Sequence, residues 1–380
     1  MEVYFDNAAT TRILPEVRDI MLETMDTAYG NPSSKHHKGV EAEQYVKQAR
    51  NVISRQLKCD PSEICFTSGG TESNNLALFG MAIANQRTGK HIISTGIEHA
   101  SVYQPLFRLK ELGFEVTFLP VDAEGRVDPE VLDSAIREDT ILVSVMAVNN
   151  EIGSVQPIAQ IAERIKTHRR EILFHVDAVQ AFGKQAIYPS RMGIDAMSMS
   201  GHKIHGPKGS GALYIAKGVK LKPLLLGGGQ EKDMRSGTEN TTAIAGMGKA
   251  CEMAYSHLSE HVEQMRAVRQ TLIDGALKLE GVEDHSGDAP HIASLSFQGV
   301  KSEVLLHALE DRGICVSSGS ACSSNHPAVS GVLKAIGLRQ ELLDSTLRFS
   351  FSEFNTVEEA EYTVEQLKEL LPFLRRFTRR

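Results

Sequence analysis

The chain has 380 residues and carries 41 Lys and Arg against 48 Asp and Glu, a formal net charge of -7. With no long basic run outside the closing RRFTRR, which reads as a solvated helix end, that balance weighs against a nucleic-acid binder; no apolar stretch approaches the roughly 20 residues of a membrane span. The length favours two domains or one large domain with an appendage, and five cysteines without C-x-x-C spacing suggest neither a disulfide framework nor a zinc cage.

The first residues, MEVYFDNAATT, are acidic and polar where a signal peptide is basic and then apolar, so a cytoplasmic location is expected. From about residue 64, short β-rich runs alternate with amphipathic helical patterns. The runs are ICFT, HIIST, EVTFLP, ILVSVMAV, EILFHVD, AMSMS and GALYI. This alternation predicts an α/β fold with a mostly parallel seven-stranded sheet covered on both faces. A helix is expected after Gly153, where Val155, Ile158, Ile161, Ala162 and Ile165 recur at helical spacing beyond a strand ending in Asn149-Asn150. Over 256–280 a longer helical pattern closes on Gly281 as a stop and bridges to a second unit. That unit mixes IASLSFQ and STLRFSFS with KSEVLLHALEDRG and VEEAEYTVEQLKELLPFL, which suggests a small α+β domain.

Ligands of open α/β sheets collect at the carboxyl ends of the strands. Here those ends carry Ser68-Gly69-Gly70-Thr71, Glu98-His99, Asn149-Asn150, Asp177 with Gln180, and Ser200, His202 and Lys203. The Gly pair before Thr71 and a helix-like run suits a phosphate seat, because glycine lets backbone N–H groups approach an anion at a helix N-terminus. The same pair also reads as plain turn punctuation, and no Walker lysine accompanies it. Asp177 follows a mostly apolar run, where an ionised carboxylate needs a cationic partner or serves as a turn cap. Lys203 stands between two apolar segments among Gly201, Gly206 and Gly209. One ligand meets the demands of phosphate seat, carboxylate and lysine together: pyridoxal phosphate, whose aldehyde would condense with Lys203 and whose pyridinium would face Asp177. Ser200 and His202 are placed to hydrogen-bond the phosphate. His202 and His205 also form an H-x-x-H pair, but no third metal ligand is in view and no metal is expected.

The motifs YFDNAATT, GNPSS, FTSGGTESNN, EHASV, VNNEIG, HVDAVQ, SGHKIHGPKG, GGGQE, MRSGTEN, SSGSACSS and LRFS occur in this order over nearly the whole chain. In this the chain closely resembles the cysteine desulfurases of the NifS and IscS type, within the class V aminotransferase group of fold-type I pyridoxal-phosphate enzymes. The resemblance implies a large cofactor-binding domain over 13–255 and a small domain from 1–12 and 256–380. It implies Lys203 as the cofactor's lysine and Asp177 as the partner of its ring nitrogen. Gln180 would bond the phenolic oxygen, and His99 would stack on the ring and serve in acid–base steps. The phosphate would be held by Gly70, Thr71, Ser200 and His202, with Thr238 reaching across from the other subunit of a homodimer. Arg348, with Asn150 and Asn31, would bind the substrate carboxylate.

Cys322 separates a desulfurase from an ordinary transaminase. It lies in SSGSACSSNHPAVSG, rich in Ser and Gly without apolar periodicity, where a mobile exposed loop is expected. Cys65 and Cys251 sit in apolar patterns and are expected to be buried, while Cys59 falls in a turn and Cys315 in a strand-like run. The implied reaction converts L-cysteine to L-alanine with a persulfide on Cys322, passed on to a sulfur acceptor such as an iron–sulfur scaffold or a sulfurtransferase. A selenocysteine lyase and a class V aminotransferase are the alternatives.

Overall fold

The structure is a computed structural model that describes residues 1–318 and 330–378. Its main sheet has seven strands in the order Ile64–Thr67, Gly211–Ile215, Ala196–Ser200, Leu173–Asp177, Thr140–Met146, His91–Thr95 and Glu115–Leu119. Gly211–Ile215 runs antiparallel to both neighbours, and all other pairings are parallel. The expected α/β architecture with a mostly parallel sheet is therefore present.

Every residue of Thr140–Met146 is buried, as in strands covered on both faces. Neighbouring residues of that strand pack into different clusters. Leu142 joins Leu76, Leu78 and Val102 of the helices Gly70–Asn85 and Ala100–Glu111. Val143 and Val145 share a cluster with Val46, Ile53 and Ile161. Polar side chains inside the sheet are paired across strands: His175 lies 2.9 Å from the Ser144 hydroxyl and 3.0 Å from that of Ser198. Burial pushes its imidazole down to about 3, so it is a neutral core histidine.

Two helix boundaries differ from the sequence pattern. The helix after Gly153 spans Ile158–His168, while Val155 pairs with Val148 in an isolated bridge. Pro157 explains the late start, because proline disfavours helical geometry in the residue before it. The preceding strand ends at Met146, and Asn149 turns the chain by accepting the N–H groups of Glu151 and Ile152, each at 2.9 Å. The long helix spans Leu258–Ala276; Gly281, at φ +67°, instead leads into the strand Val282–Asp284.

A second, antiparallel sheet orders Ser317–Ser318, Thr346–Ser350, Ile292–Phe297 and Val282–Asp284. Its core takes Leu295, Phe297, Leu347 and Phe349 from the strands. From the helices come Met265, Val268, Leu272 and Ala276, and Ala360, Leu367 and Leu371, spaced three, four or seven apart as an inward helix face requires. The strand Val3–Tyr4 pairs in parallel with Ile314–Cys315. This brings the first residues of the chain towards Arg348, which faces Ser294 and Ser317 in the sheet register. Among the described residues no helix is long and apolar enough to cross a membrane.

Candidate active site

The carboxyl ends of the central strands open into a cavity of about 500 Å³. Asp177 and Ser200 are the last residues of their strands, and both line it. Asp177 is 5% exposed and held at both oxygens: Oδ1 accepts the N–H of Val179 at 3.0 Å and Oδ2 accepts Asn74 Nδ2 at 2.8 Å. Asn74 also donates to Ser101 Oγ at 2.8 Å, so the helix after the Gly pair and the helix after His99 fix one carboxylate.

His99 caps the helix Ala100–Glu111, its Nδ1 accepting the N–H of Ser101 at 3.1 Å. That bond leaves the ring hydrogen on Nε2. Burial lowers its pKa, Asp177 opposes the shift and Lys203 adds to it, so the ring is neutral at pH 7. Beside it Glu98 is buried, taking Thr95 Oγ1 at 2.7 Å and the N–H of Met146 at 2.9 Å. Burial, with Asp177 adding, pushes its carboxyl up to about 8.

Lys203 ends the short turn Gly201–Lys203 that follows Ser200. Its Nζ donates to the carbonyls of Ala8 and Ala9, the latter at 2.7 Å. Gln180 Nε2 donates to the same Ala8 carbonyl at 2.9 Å, and its Oε1 is buried without a hydrogen-bond partner. The N-terminal segment thus supplies main-chain acceptors to the site, which sequence patterns did not single out.

At the opposite wall Gly69 adopts φ +154° and ψ -178°, a conformation reserved for glycine. A Cβ on Gly70 would lie 2.6 Å from Val179 Cγ2. Both glycines are required where the helix Gly70–Asn85 begins, and Thr71 lines the cavity beside them. The Ser200 hydroxyl is buried there without a partner. His202 also lines the cavity, with Nδ1 3.2 Å from Thr10 Oγ1; burial foremost, then Lys203, Lys208 and Lys184, pushes it down to about 4. A helix N-terminus, a glycine cradle and an orphaned hydroxyl suit a phosphate, and Asp177 suits a protonated ring nitrogen. The residues present therefore fit pyridoxal phosphate.

Arg348 enters from the second sheet, 5% exposed. Nη2 pairs with Asp6 Oδ1 at 2.8 Å and Nη1 donates to the Asn150 carbonyl at 2.8 Å, while Nε is buried without a partner. Asp6, unrecognised as a site residue in the sequence, lines the cavity together with Asn150. Asn31 does not line the cavity; it is exposed, its Oδ1 accepting the N–H of Ser33 at 2.9 Å, and Thr238, expected to serve the other subunit, is exposed as well. Cys322 lies outside the described residues. Of the other thiols, burial raises Cys65 and Cys251 strongly, pushes Cys59 up to about 12, and raises the exposed Cys315 by a smaller desolvation.

The two histidines of H-x-x-H take different partners. His205 Nδ1 donates to the Arg12 carbonyl at 2.8 Å and Nε2 sits 3.3 Å from Glu353. Although burial opposes it, hydrogen bonding and charge from His205 hold the Glu353 carboxyl at about 2, below its ordinary 4.5. Because the folded value is the lower one, this stabilisation is present above the ordinary value and is lost as pH falls towards 2. Glu353→Gln should therefore cost on the order of 2–3 kcal/mol at neutral pH and progressively less in acid, measured by urea unfolding at several pH values.

A family model described as Aminotransferase class-V matches residues 3–363. The Cysteine desulfurase IscS of Dictyoglomus turgidum is 43% identical over 380 residues, covering 98% of this chain and 95% of that protein. A solved NifS-like protein superposes with a TM-score of 0.93 at 39% identity, covering 98% of this chain and 100% of that one. SspA in complex with cysteine superposes with a TM-score of 0.83 at 36% identity, covering 94% and 100%. The chain belongs to the class-V aminotransferase family of pyridoxal-phosphate-dependent enzymes and, within it, to the cysteine desulfurases of the NifS and IscS type.

Proposed function

We propose that the protein takes sulfur from L-cysteine, releases L-alanine and carries the sulfur as a persulfide on Cys322. The observation that carries this reading is the convergence of Lys203, Asp177, His99 and Arg348 on one cavity in a chain of this family. When bound, pyridoxal phosphate supplies an aldehyde that links amines and a ring that accepts the electrons left when a proton leaves the substrate α-carbon. Asp177 would keep the ring nitrogen protonated, and Gln180 would bond the phenolic oxygen. Gly70, Thr71, Ser200 and His202 would hold the phosphate.

Arg348 binds the substrate carboxylate with Asn150; its unpartnered Nε is a donor already desolvated for that role. The Lys203 amine and the neutral His99 ring move protons to and from the substrate, a kind of assistance that contributes roughly 10²–10⁴-fold. The Cys322 thiolate attacks the substrate sulfur, the carbon–sulfur bond breaks, and protonation of the carbon completes alanine. Enzyme thiol and cysteine thus become enzyme persulfide and alanine, with atoms balanced and no further oxidant.

We take residues 13–255 as the large domain and 1–12 with 256–380 as the small one, supported by a separate core that joins Val3 and Phe5 to side chains from Met265 to Leu371. We read the enzyme as a cytoplasmic homodimer, with Thr238 serving across the subunit interface and Asn31 joining Arg348 and Asn150 at the substrate carboxylate. Leu224, Leu225 and Leu226, exposed by 40%, 45% and 81% on the approach to Thr238, supply apolar surface for a second copy. The sulfur passes to an acceptor protein, an iron–sulfur scaffold or a sulfurtransferase; neither nucleic acid nor membrane is a partner. The test is alanine release from L-cysteine with no keto acid added. Release under those conditions supports the reading, and alanine formed only when pyruvate is supplied overturns it in favour of amino transfer.

A further inference from the structure

Lys184 is 6% exposed and does not line the cavity, yet its Nζ donates to the main-chain carbonyl of Lys203 at 2.7 Å. An ammonium buried this deeply is costly without a counter-charge. The carboxylate that acts on it is Glu353, just past the strand bearing Arg348. Glu353 also meets His205, two residues beyond Lys203, which holds the left-handed φ of +64°. The His205 N–H donates to Thr11 Oγ1 at 2.7 Å, and that hydroxyl donates to the His202 carbonyl at 2.9 Å. The peptide groups on either side of the reactive lysine are thus individually fixed.

We propose that Lys184, through its hydrogen bond to the Lys203 carbonyl, is a positioning residue that fixes the main chain of Lys203 and sets a positive field against protonation of its nitrogen. The inference rests on Lys203 being the lysine that bears the cofactor. An apolar side chain of similar length would fill the same space at lower cost, so hydrogen bond and charge are what the lysine adds. Burial pushes Lys184 down to about 8, with Glu353 opposing, which leaves it charged at neutral pH. Asp177 and His99 from the strand ends, His202 on its own turn, and Asp6 and Arg348 share the cavity with Lys203; Lys208 acts on that turn as well, and the buried His291 faces Lys184. Asp177 favours a proton on the lysine nitrogen and Lys184 disfavours it.

Absorption of the bound cofactor, followed from neutral to alkaline pH, reports protonation of its linkage to Lys203. Wild type, Lys184→Met and Lys184→Gln are compared, each with its thermal transition and cofactor content; glutamine keeps a donor but not the charge. The expected result is cofactor bound in all three, with the midpoint raised by about half a unit to one unit in both variants. A role confined to packing would leave the midpoint where it is. Variants that bind cofactor and titrate with wild type overturn the proposal, and if Lys184→Met does not fold, Lys184→Gln alone decides it. Wild type without the linkage absorption would overturn the cofactor reading itself, a failure distinct from equal midpoints.

Discussion

Lys203→Ala is expected to leave a folded protein that no longer couples to its cofactor and whose alanine release falls by at least about 10⁴-fold. The side chain ends in the cavity against the carbonyls of Ala8 and Ala9, which water can satisfy once the amine is gone. The turn that places it does not depend on the amine. Gly201 is required there, since a Cβ would lie 2.2 Å from Ser210 Oγ, and the Gly201 carbonyl is held by the N–H groups of Ile204 and Gly206 at 3.1 and 2.9 Å. The loss is therefore chemical, and borohydride reduction followed by intact-mass analysis separates it from misfolding. Wild type should gain one reduced cofactor on Lys203 and the variant none, with thermal transitions close together.

Cys322→Ala should abolish the protein-bound persulfide and lower alanine release by at least about 10³-fold while leaving cofactor binding untouched. The thiolate is the attacking form, and each of the four described cysteines is poorly placed to supply it. Cys65 and Cys251 are buried with raised pKa values, Cys59 stands at about 12, and Cys315 is raised as well; none lines the cavity. Cys322 follows Ser317, a cavity-lining residue, by five positions, which an extended chain spans in at most about 18 Å. Cys59→Ala or Cys315→Ala should by comparison leave turnover within about twofold of wild type. Intact mass and alanine yield, read on the same samples, distinguish these outcomes.

The sheet was legible because its strands are short, apolar and β-rich, and the site because its polar residues interrupt those runs at one end. Asp177, Ser200 and Lys203 could be placed together before any coordinates, since adjacent parallel strands must end side by side. The carbonyls of Ala8 and Ala9 could not, because main-chain acceptors leave no mark in composition and their partner lies 195 and 194 residues away along the chain. Asp6 escaped for the same reason: its pairing with Arg348 joins the two ends of the chain. Asn74 reads as one amide in a polar helix start until packing sets it on Asp177. Lys184 looks like an ordinary surface charge in a sequence, and only burial shows that it is not. Helix limits failed where local rules outweighed apolar spacing, at Pro157 and before Gly281.

The most direct measurement is incubation of the cofactor-loaded protein with L-cysteine, followed by intact-mass and peptide analysis beside Cys322→Ala. Desulfurase chemistry predicts one added sulfur, located on Cys322, with alanine formed and neither product in the variant. A persulfide that forms at the same rate on the variant, or alanine-free protein that still carries its cofactor, would contradict it.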